Sequence, residues 1–305
     1  MTRLWMILLV LSCALNTQAQ RYDSSIFSMP IQMDAVTIKA ARGGWDLAGF
    51  IRRVRTDTTF FKAFHNLRFI NYTATNDIRV LDKKGKASAS LFSRTKQSYA
   101  NGCRTMQVLE EHTTGDFYKH NKEHRYYTSE LYDYLFFTHG KVCGEKESIA
   151  GYLDERGKGQ IEKNKQRLKI LMFSPGSKVS GVPLMGDKAA IFEPDVAKMY
   201  DFKLSSDEYN GEDCYVFRAI PKKEYADDVV YNDLITWFRK SDYTILARDY
   251  SLSYKAGLYD FDVNIKVRTQ QVGKRLIPAR LEYDGNWHVF SKKRERVRFS
   301  TVITP

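Results

Sequence analysis

The chain has 305 residues, 43% of them hydrophobic and 28% charged, with only 7 Pro. Those proportions exclude a disordered or low-complexity protein and leave enough apolar material for a substantial core in one or two domains. The formal charge of +12 fits an anionic membrane surface, another envelope component or simply a solvated basic exterior.

Arg3, the apolar run 4–15 and the small residues Thr17 and Ala19 read as a secretory signal peptide over residues 1–19, too short for a stable membrane span. The mature chain is therefore expected to be exported, to the periplasm or in association with an outer membrane, where nucleic acid is not a partner. Cys13 sits in an imperfect lipoprotein box, and lipidation there stays open. Cys103, Cys143 and Cys214 match no zinc or CxxC spacing. One disulfide is open to them, and Cys103 and Cys143 flank one segment; buried free thiols are the alternative. Residues 20–33 read as a flexible N-terminal segment and 34–305 as a single domain that opens with a short strand over Asp34–Lys39.

Leu47, Phe50, Ile51, Val54, Phe61 and Phe64 recur at helical spacing, and Thr56-Asp57-Thr58 divides them into two short helices with one apolar face. Ile78–Leu91 reads as a hairpin turning at Gly85. Arg104–Leu109 alternates as a half-buried strand does, and Ser129–Phe137 reads as a helix with Gly140 as its terminator. A polar helical stretch over Gln160–Arg167 runs into Leu168–Phe173. The loop 175–186 is punctuated by Gly and Pro yet carries Val179, Val182, Leu184 and Met185, so it is either an ordered loop on the core or a lid over an apolar cavity.

Beyond Asn210-Gly211 the chain reads as a meander of five or six antiparallel strands. In ITWFRKSDYTILARDYSL, residues 235–252, Arg239–Asp242 is the turn. Trp237 and Phe238 then face opposite ways, and Leu246, Tyr250 and Leu252 share one face. Tyr259–Val267 has one dry and one wet face. Asp284-Gly285-Asn286 reads as another turn. Pro278 and the basic run 292–298 are expected at an edge or rim.

Little of this carries chemistry. His120 and His124 are four apart with Glu123 between them, which is not H-E-x-x-H, and the stretch reads as an exposed polar loop. Asp260 and Asp262 read as a wet strand face. No nucleophile elbow, P-loop or dinucleotide fingerprint occurs. No metal, cofactor or catalytic residue is expected, and the chain is read as non-enzymatic.

NGEDCYVFRAIPK, ITWFRKSDYTILARDYSL and LIPARLEYDG resemble the LolA/LolB-like half-barrel family of periplasmic lipoprotein-sorting carriers. From about residue 36 to 305 the chain is similar to exported proteins of Bacteroidetes type. The resemblance implies an α+β fold, a large curved antiparallel sheet (an incomplete barrel) with helices and a loop lid covering its concave face. It also implies an apolar cavity for a lipid, a lipoprotein acyl chain or another hydrophobic ligand. Phe261, Val263 and Ile265 would line the sheet side. Leu171, Phe173, Val182, Leu184, Met185 and Phe192 would line the cover. Two other readings stay open: a protein-interaction or sensory module of the same fold with a filled core, with an envelope protein or an anionic membrane as its partner, and an exported hydrolase with a site scattered in sequence.

Overall fold

A computed structural model describes residues 46–149, 167, 169–179, 185–255, 259–289 and 293–305. The readings placed on residues 1–39, on most of Gln160–Arg167 and on Val182 and Leu184 lie outside the described residues.

Two helices come first, α1 (Leu47–Thr56) and α2 (Thr59–Asn66). Asp46 caps α1 by accepting the Gly49 amide at 2.7 Å, and Phe50 and Val54 form its buried stripe. At the break between the helices, Asp57 Oδ1 accepts both the Thr59 amide and its hydroxyl. Strands β1 (Tyr72–Leu81), β2 (Ala87–Ala100) and β3 (Cys103–Thr114) follow. Then come helix α3 (Tyr127–Phe136) and the short strand β4 (Lys141–Cys143). The rest is a seven-strand meander: β5 (Tyr200–Tyr209), β6 (Glu212–Pro221), β7 (Tyr231–Arg239), β8 (Ile245–Lys255), β9 (Tyr259–Val272), β10 (Arg275–Val289) and β11 (Glu295–Thr304).

All eleven strands belong to one antiparallel sheet, in the order β4-β3-β2-β1-β11-β10-β9-β8-β7-β6-β5. The order has two free ends, so the sheet is open and not a closed barrel. The closing contact of the meander is the pairing of β1 with β11, from Thr73↔Thr304 to Leu81↔Arg296. One face carries the main core. Ile78, Leu91, Phe217, Leu234, Phe238, Tyr250, Leu252, Val263, Ile265, Leu281 and Phe299 all pack there with residues of α1, α2, α3 and the cover. The helical stretch 169–173 and the turns 185–197 supply that cover, and Met172, Phe173, Met185 and Ile191 are buried in it. Gly176 makes its fold possible: its φ is +89°, and a Cβ there would come within 2.7 Å of the Phe192 ring.

The hairpin at 239–242 forms as read. Phe238 joins the main core, while Trp237 packs on the opposite face with Cys214, Val216 and Ala247. Leu246 departs from expectation. The register shifts between Trp237 and Phe238, Ala247 and Ile245 are the paired residues, and Leu246 bulges to join the Trp237 cluster instead of Tyr250.

Several other readings are corrected. Asp284-Gly285-Asn286 is no turn, because β10 runs unbroken through it, paired with β9 and β11. Gly285 is needed for close approach: a Cβ there would lie 2.1 Å from the Tyr283 hydroxyl, which accepts the Trp287 indole N–H. Arg104–Leu109 is half-buried only at its start, where partly buried Arg104 and Met106 alternate with exposed Thr105 and Gln107. Val108 and Leu109 remain 47% and 46% exposed, beyond the stretch Cys103–Thr105 that β4 pairs with. The basic run is not on an edge strand, although Lys293 and Arg294 precede β11 at its rim end. Arg296 and Arg298 lie in central β11, where Arg298 pairs with Asp284 across the wet face. Pro278 does sit at the rim, where β10 bulges before its pairing with β11 begins at Arg280. Gly140 turns the chain after α3 but does not cap it; Phe137, extended, is the cap residue.

The start of α3 is capped from a distant strand. Glu295 on β11 accepts the Tyr127 amide (2.8 Å), the Thr128 amide (2.9 Å) and the Thr128 hydroxyl (2.9 Å). A carboxylate on free helix N–H groups satisfies orphan donors and complements the helix dipole. Glu295→Ala should lower unfolding stability by about 1–2 kcal/mol, with Glu295→Gln losing less, in urea titrations; equal stability of wild type and Glu295→Ala would remove the cap from the account.

Candidate functional site

Among the described residues, two crevices lie between the concave sheet face and its cover. The first is apolar. Leu131 and Leu135 of α3 and Leu171 and Met172 of the cover face Leu252, Val263, Ile265, Tyr283, Trp287 and Phe299 of the sheet. Tyr283 stacks on Phe299 with centroids 4.5 Å apart, and Trp287 stacks on Phe261 at 4.7 Å. The cavity itself is about 10 Å³, the room of a single water. Two hydroxyls latch the cover backbone to the sheet: Tyr231 donates to the Leu171 carbonyl at 3.1 Å, and Tyr250 donates to that of Met172. Burial pushes both phenols well above their ordinary pKa, so they remain donors.

The second crevice, about 40 Å³, opens beside α2 and the end of α3. Its walls are aromatic, with Phe64 stacked on Phe173 at 3.9 Å, and three cations reach it: Arg68, Arg104 and Lys169. Lys169 is only 5% exposed, and its ammonium lies 4.3 Å from the Tyr134 ring centre. The sequence positions a counter-charge through a disulfide. Cys103 and Cys143 are bonded across the β3–β4 register, and Glu145, two residues on, pairs with Arg68 and with Arg104 Nε at 2.5 Å. Burial tends to raise the Glu145 carboxyl, but Arg104 and Arg68 outweigh it and hold the pKa below the usual range. Burial is also the main cause that lowers the His65 pKa, with Arg68 adding to it against the Lys146 carbonyl contact at 2.8 Å.

Between the crevices the sheet face turns polar. The Tyr132 hydroxyl donates to Asn76 Oδ1 at 2.6 Å and meets Thr301 Oγ1 at 2.5 Å, while Asn76 Nδ2 donates to Ser93 at 3.1 Å. Gln97 donates to the Leu67 and Ile70 carbonyls. The concave face is thus not apolar throughout in the way the resemblance implies: Asn76, Ser93 and Gln97 interrupt it on β1 and β2, and on β8 the buried Arg248 donates to Thr236 at 2.9 Å and lies 4.4 Å over the Phe60 ring.

The expected site residues are dispersed. Leu171, Val263 and Ile265 line the apolar crevice and Phe173 lines the cationic one. Phe261 is buried beside Trp287. Met185 is buried in the same core, and Phe192 stacks on Phe202 at 5.9 Å; neither lines either crevice. Arg68, Arg104 and Lys169 were not anticipated. The one signal was Lys169 itself, a lone charge inside the apolar run 168–173.

Three side chains meet as a hydrolase triad would. His124 Nδ1 lies 3.1 Å from Ser129 Oγ, and its Nε2 lies 3.6 Å from Asp133 Oδ1. Ser129, however, is fully buried in the first turn of α3, its hydroxyl donates to the Tyr126 carbonyl, and neither crevice includes it. A nucleophile needs a reacting carbon within about 3–3.5 Å, which this serine has no room to receive. The trio fastens the loop before α3 to the helix. Among the described residues, no group of three or more His, Cys, Asp or Glu side chains is placed to hold a metal ion, and no helix is long and apolar enough to cross a membrane.

No family model and no curated protein matches the chain. Among solved structures it is similar to a DUF1329 family protein from Desulfovibrio piger, at 12% identity over 85% of this chain and 89% of that one, with a TM-score of 0.24. It is also similar to a domain from Vibrio parahaemolyticus assigned to outer membrane lipoprotein sorting, at 9% identity over 84% of this chain and 89% of that one, again with a TM-score of 0.24. The second carries the description of the family that the sequence resembles. At these TM-scores the functional reading rests on the residues themselves.

The lowered pKa values of His65 and Glu145 mean that the unfolded chain binds more protons as pH falls, so both groups withdraw stability on acidification. Loss should begin as pH drops through about 6.5 for His65 and resume below about 4.3 for Glu145. Urea midpoints measured from pH 7.5 downward should show both limbs, and His65→Gln should flatten the first. A wild-type midpoint flat between pH 7.5 and 5.5 would rule out a neutral, buried His65.

Proposed function

We propose that residues 34–305 act as one exported domain that binds a lipid, a lipoprotein acyl chain or another hydrophobic ligand between the concave sheet face and its cover, without catalysing a reaction. One observation carries this reading: the sheet side of the crevice is a contiguous apolar strip, Leu252, Val263, Ile265 and Phe299, faced by a cover that two tyrosine hydroxyls latch at its backbone. Lipid sites are apolar with few polar anchors, as this one is. The resting cavity is smaller than any acyl chain, so binding requires the cover to separate from the strip. The Cys103–Cys143 disulfide supports export, since such bonds persist in oxidising compartments.

The small cavity equally favours a second reading, an interaction or sensory module of the same fold whose core is simply filled. The two differ in one measurement. On the ligand reading, the purified protein takes up a fluorescent fatty acid at one per chain, and Val263→Trp, which fills the strip, weakens uptake by about tenfold with the fold intact by circular dichroism. Absence of uptake by wild type would sink the ligand reading and leave the interaction module.

A further inference from the structure

The rim of the sheet where β1 ends and β11 begins is cationic. The turn between β1 and β2 carries Lys83, Lys84 and Lys86, all exposed. It is a fixed turn: the Gly85 amide donates to the Asp82 carbonyl at 3.1 Å, and the Asp82 amide donates to the Lys86 carbonyl at 2.8 Å. Its one carboxylate is engaged with backbone, since Asp82 Oδ1 accepts the Lys84 amide at 2.8 Å and the Lys86 amide at 2.9 Å. The start of β11 adjoins this turn. Leu81 pairs with Arg296, and the Arg296 guanidinium donates to the Lys83 carbonyl at 3.0 Å. Exposed Lys293 stands shortly before Arg296 in the chain. Arg294 is paired with Asp260 at 2.6 Å and is left out of the count. Among the described residues, Lys83, Lys84, Lys86, Lys293 and Arg296 form no ion pair.

The same rim holds one end of the apolar crevice. Glu295, which lies between Lys293 and Arg296 in the chain, accepts the Thr128 hydroxyl at 2.9 Å and pairs in register with Trp287. Thr128 and Trp287 both line that crevice. Tyr127, whose amide bonds the same carboxylate, is 39% exposed and one of three large apolar side chains so open among the described residues. A tyrosine amid cations suits the headgroup layer of a bilayer, where its ring meets hydrocarbon and its hydroxyl stays wet.

We propose that the rim formed by Lys83, Lys84, Lys86, Lys293 and Arg296 docks on an anionic lipid bilayer and turns the Thr128–Trp287 end of the apolar crevice toward it. This rests on the ligand reading for what passes between bilayer and crevice, and adds the surface at which the exchange takes place. Clustered like charges repel, and an anionic surface relieves that repulsion. Each Lys or Arg held near such a surface strengthens binding by about fivefold, within reach of the Debye length. A second copy of this chain does not fit the patch, because an isologous contact sets the same cations against themselves.

The test is flotation with vesicles of phosphatidylcholine alone and of phosphatidylcholine mixed with phosphatidylglycerol, at low and at high salt. Wild-type protein should partition onto the mixed vesicles at least about tenfold better than onto the neutral ones, and high salt should abolish the difference. The triple variant Lys83→Ser, Lys84→Ser, Lys86→Ser should lose at least about tenfold of that partition. A control triple removes the same charge from exposed positions at the opposite end of the sheet, Lys96→Ser, Lys141→Ser, Lys274→Ser, and should lose less than about threefold. Equal partition of wild type onto the two kinds of vesicle overturns the docking face. An equal loss in the two triples also overturns it, since net charge alone then governs binding. Binding of soluble polyphosphate without binding of mixed vesicles overturns it in favour of a free polyanion. Uptake of a fluorescent fatty acid from solution is followed alongside. Uptake without vesicle binding removes the docking face and leaves the ligand reading standing; vesicle binding without uptake removes the ligand reading and leaves the rim as a membrane contact alone. The wild-type comparison needs no variant, so it decides the matter even if a triple does not fold.

Discussion

The pairing of β1 with β11 is the constraint on which the architecture depends. It makes the first long strand and the last one neighbours at the centre of the sheet, so the chain must start in the middle, run out to one edge at β4 and resume at the opposite edge with β5. Ten strand spacings separate those edges, roughly 48 Å along the sheet. The parts of that connection seen at 169–173 and 185–197 lie in the concave core. A cover over the concave face is thus a consequence of strand order. The same order leaves both edges modest: β4 has three residues, and β5 is polar, with Asp201, Lys203, Asp207 and Glu208 along it.

The concave face is covered in two ways of different character. Over β8 to β10 the cover meets aliphatic and aromatic side chains, where contacts are non-directional and a repacking can be tolerated. Over β1 and β2 it is α3 and the segment after α2 that meet the sheet, through directional hydrogen bonds of Tyr132 with Asn76 and of Gln97 with the Leu67 carbonyl, whose loss strands buried polar atoms. On the aliphatic side the directional contacts to the cover are the Tyr231 and Tyr250 hydroxyls, so separation there has those two bonds to break. The disulfide contributes on the other side, since it holds Glu145 against Arg68 and Arg104.

Local pattern made much of the fold legible. The alternation of Phe261, Val263, Ile265 and Val267 with polar residues registers one dry face directly, and the Thr56-Asp57-Thr58 break needed only helix-end chemistry. What escaped was set by distant neighbours. Gly285 carries a turn signal by composition, but its purpose is to admit the Tyr283 ring. Arg104–Leu109 has the rhythm of a half-buried strand, yet Val108 and Leu109 lie exposed beyond the stretch that β4 pairs with. Arg296 and Arg298 sit centrally because β1 returns beside β11, which no local window contains. Of the site, the apolar strip was readable as a strand face. The cationic crevice was not, because Arg68, Arg104 and Lys169 converge from three separate elements.

The capping of α3 by Glu295 has a bearing on how the chain acquires its structure. The helix donors wait for a partner more than a hundred and fifty residues later, Tyr127 for Glu295, just as Thr73 waits for Thr304. Contacts this remote in sequence close slowly, because loop entropy is lost before any bonding is regained. While the ribosome still holds β11, β1 and β10 are both open edges and α3 is uncapped. The sheet and the start of α3 are therefore completed by the same event, the docking of β11.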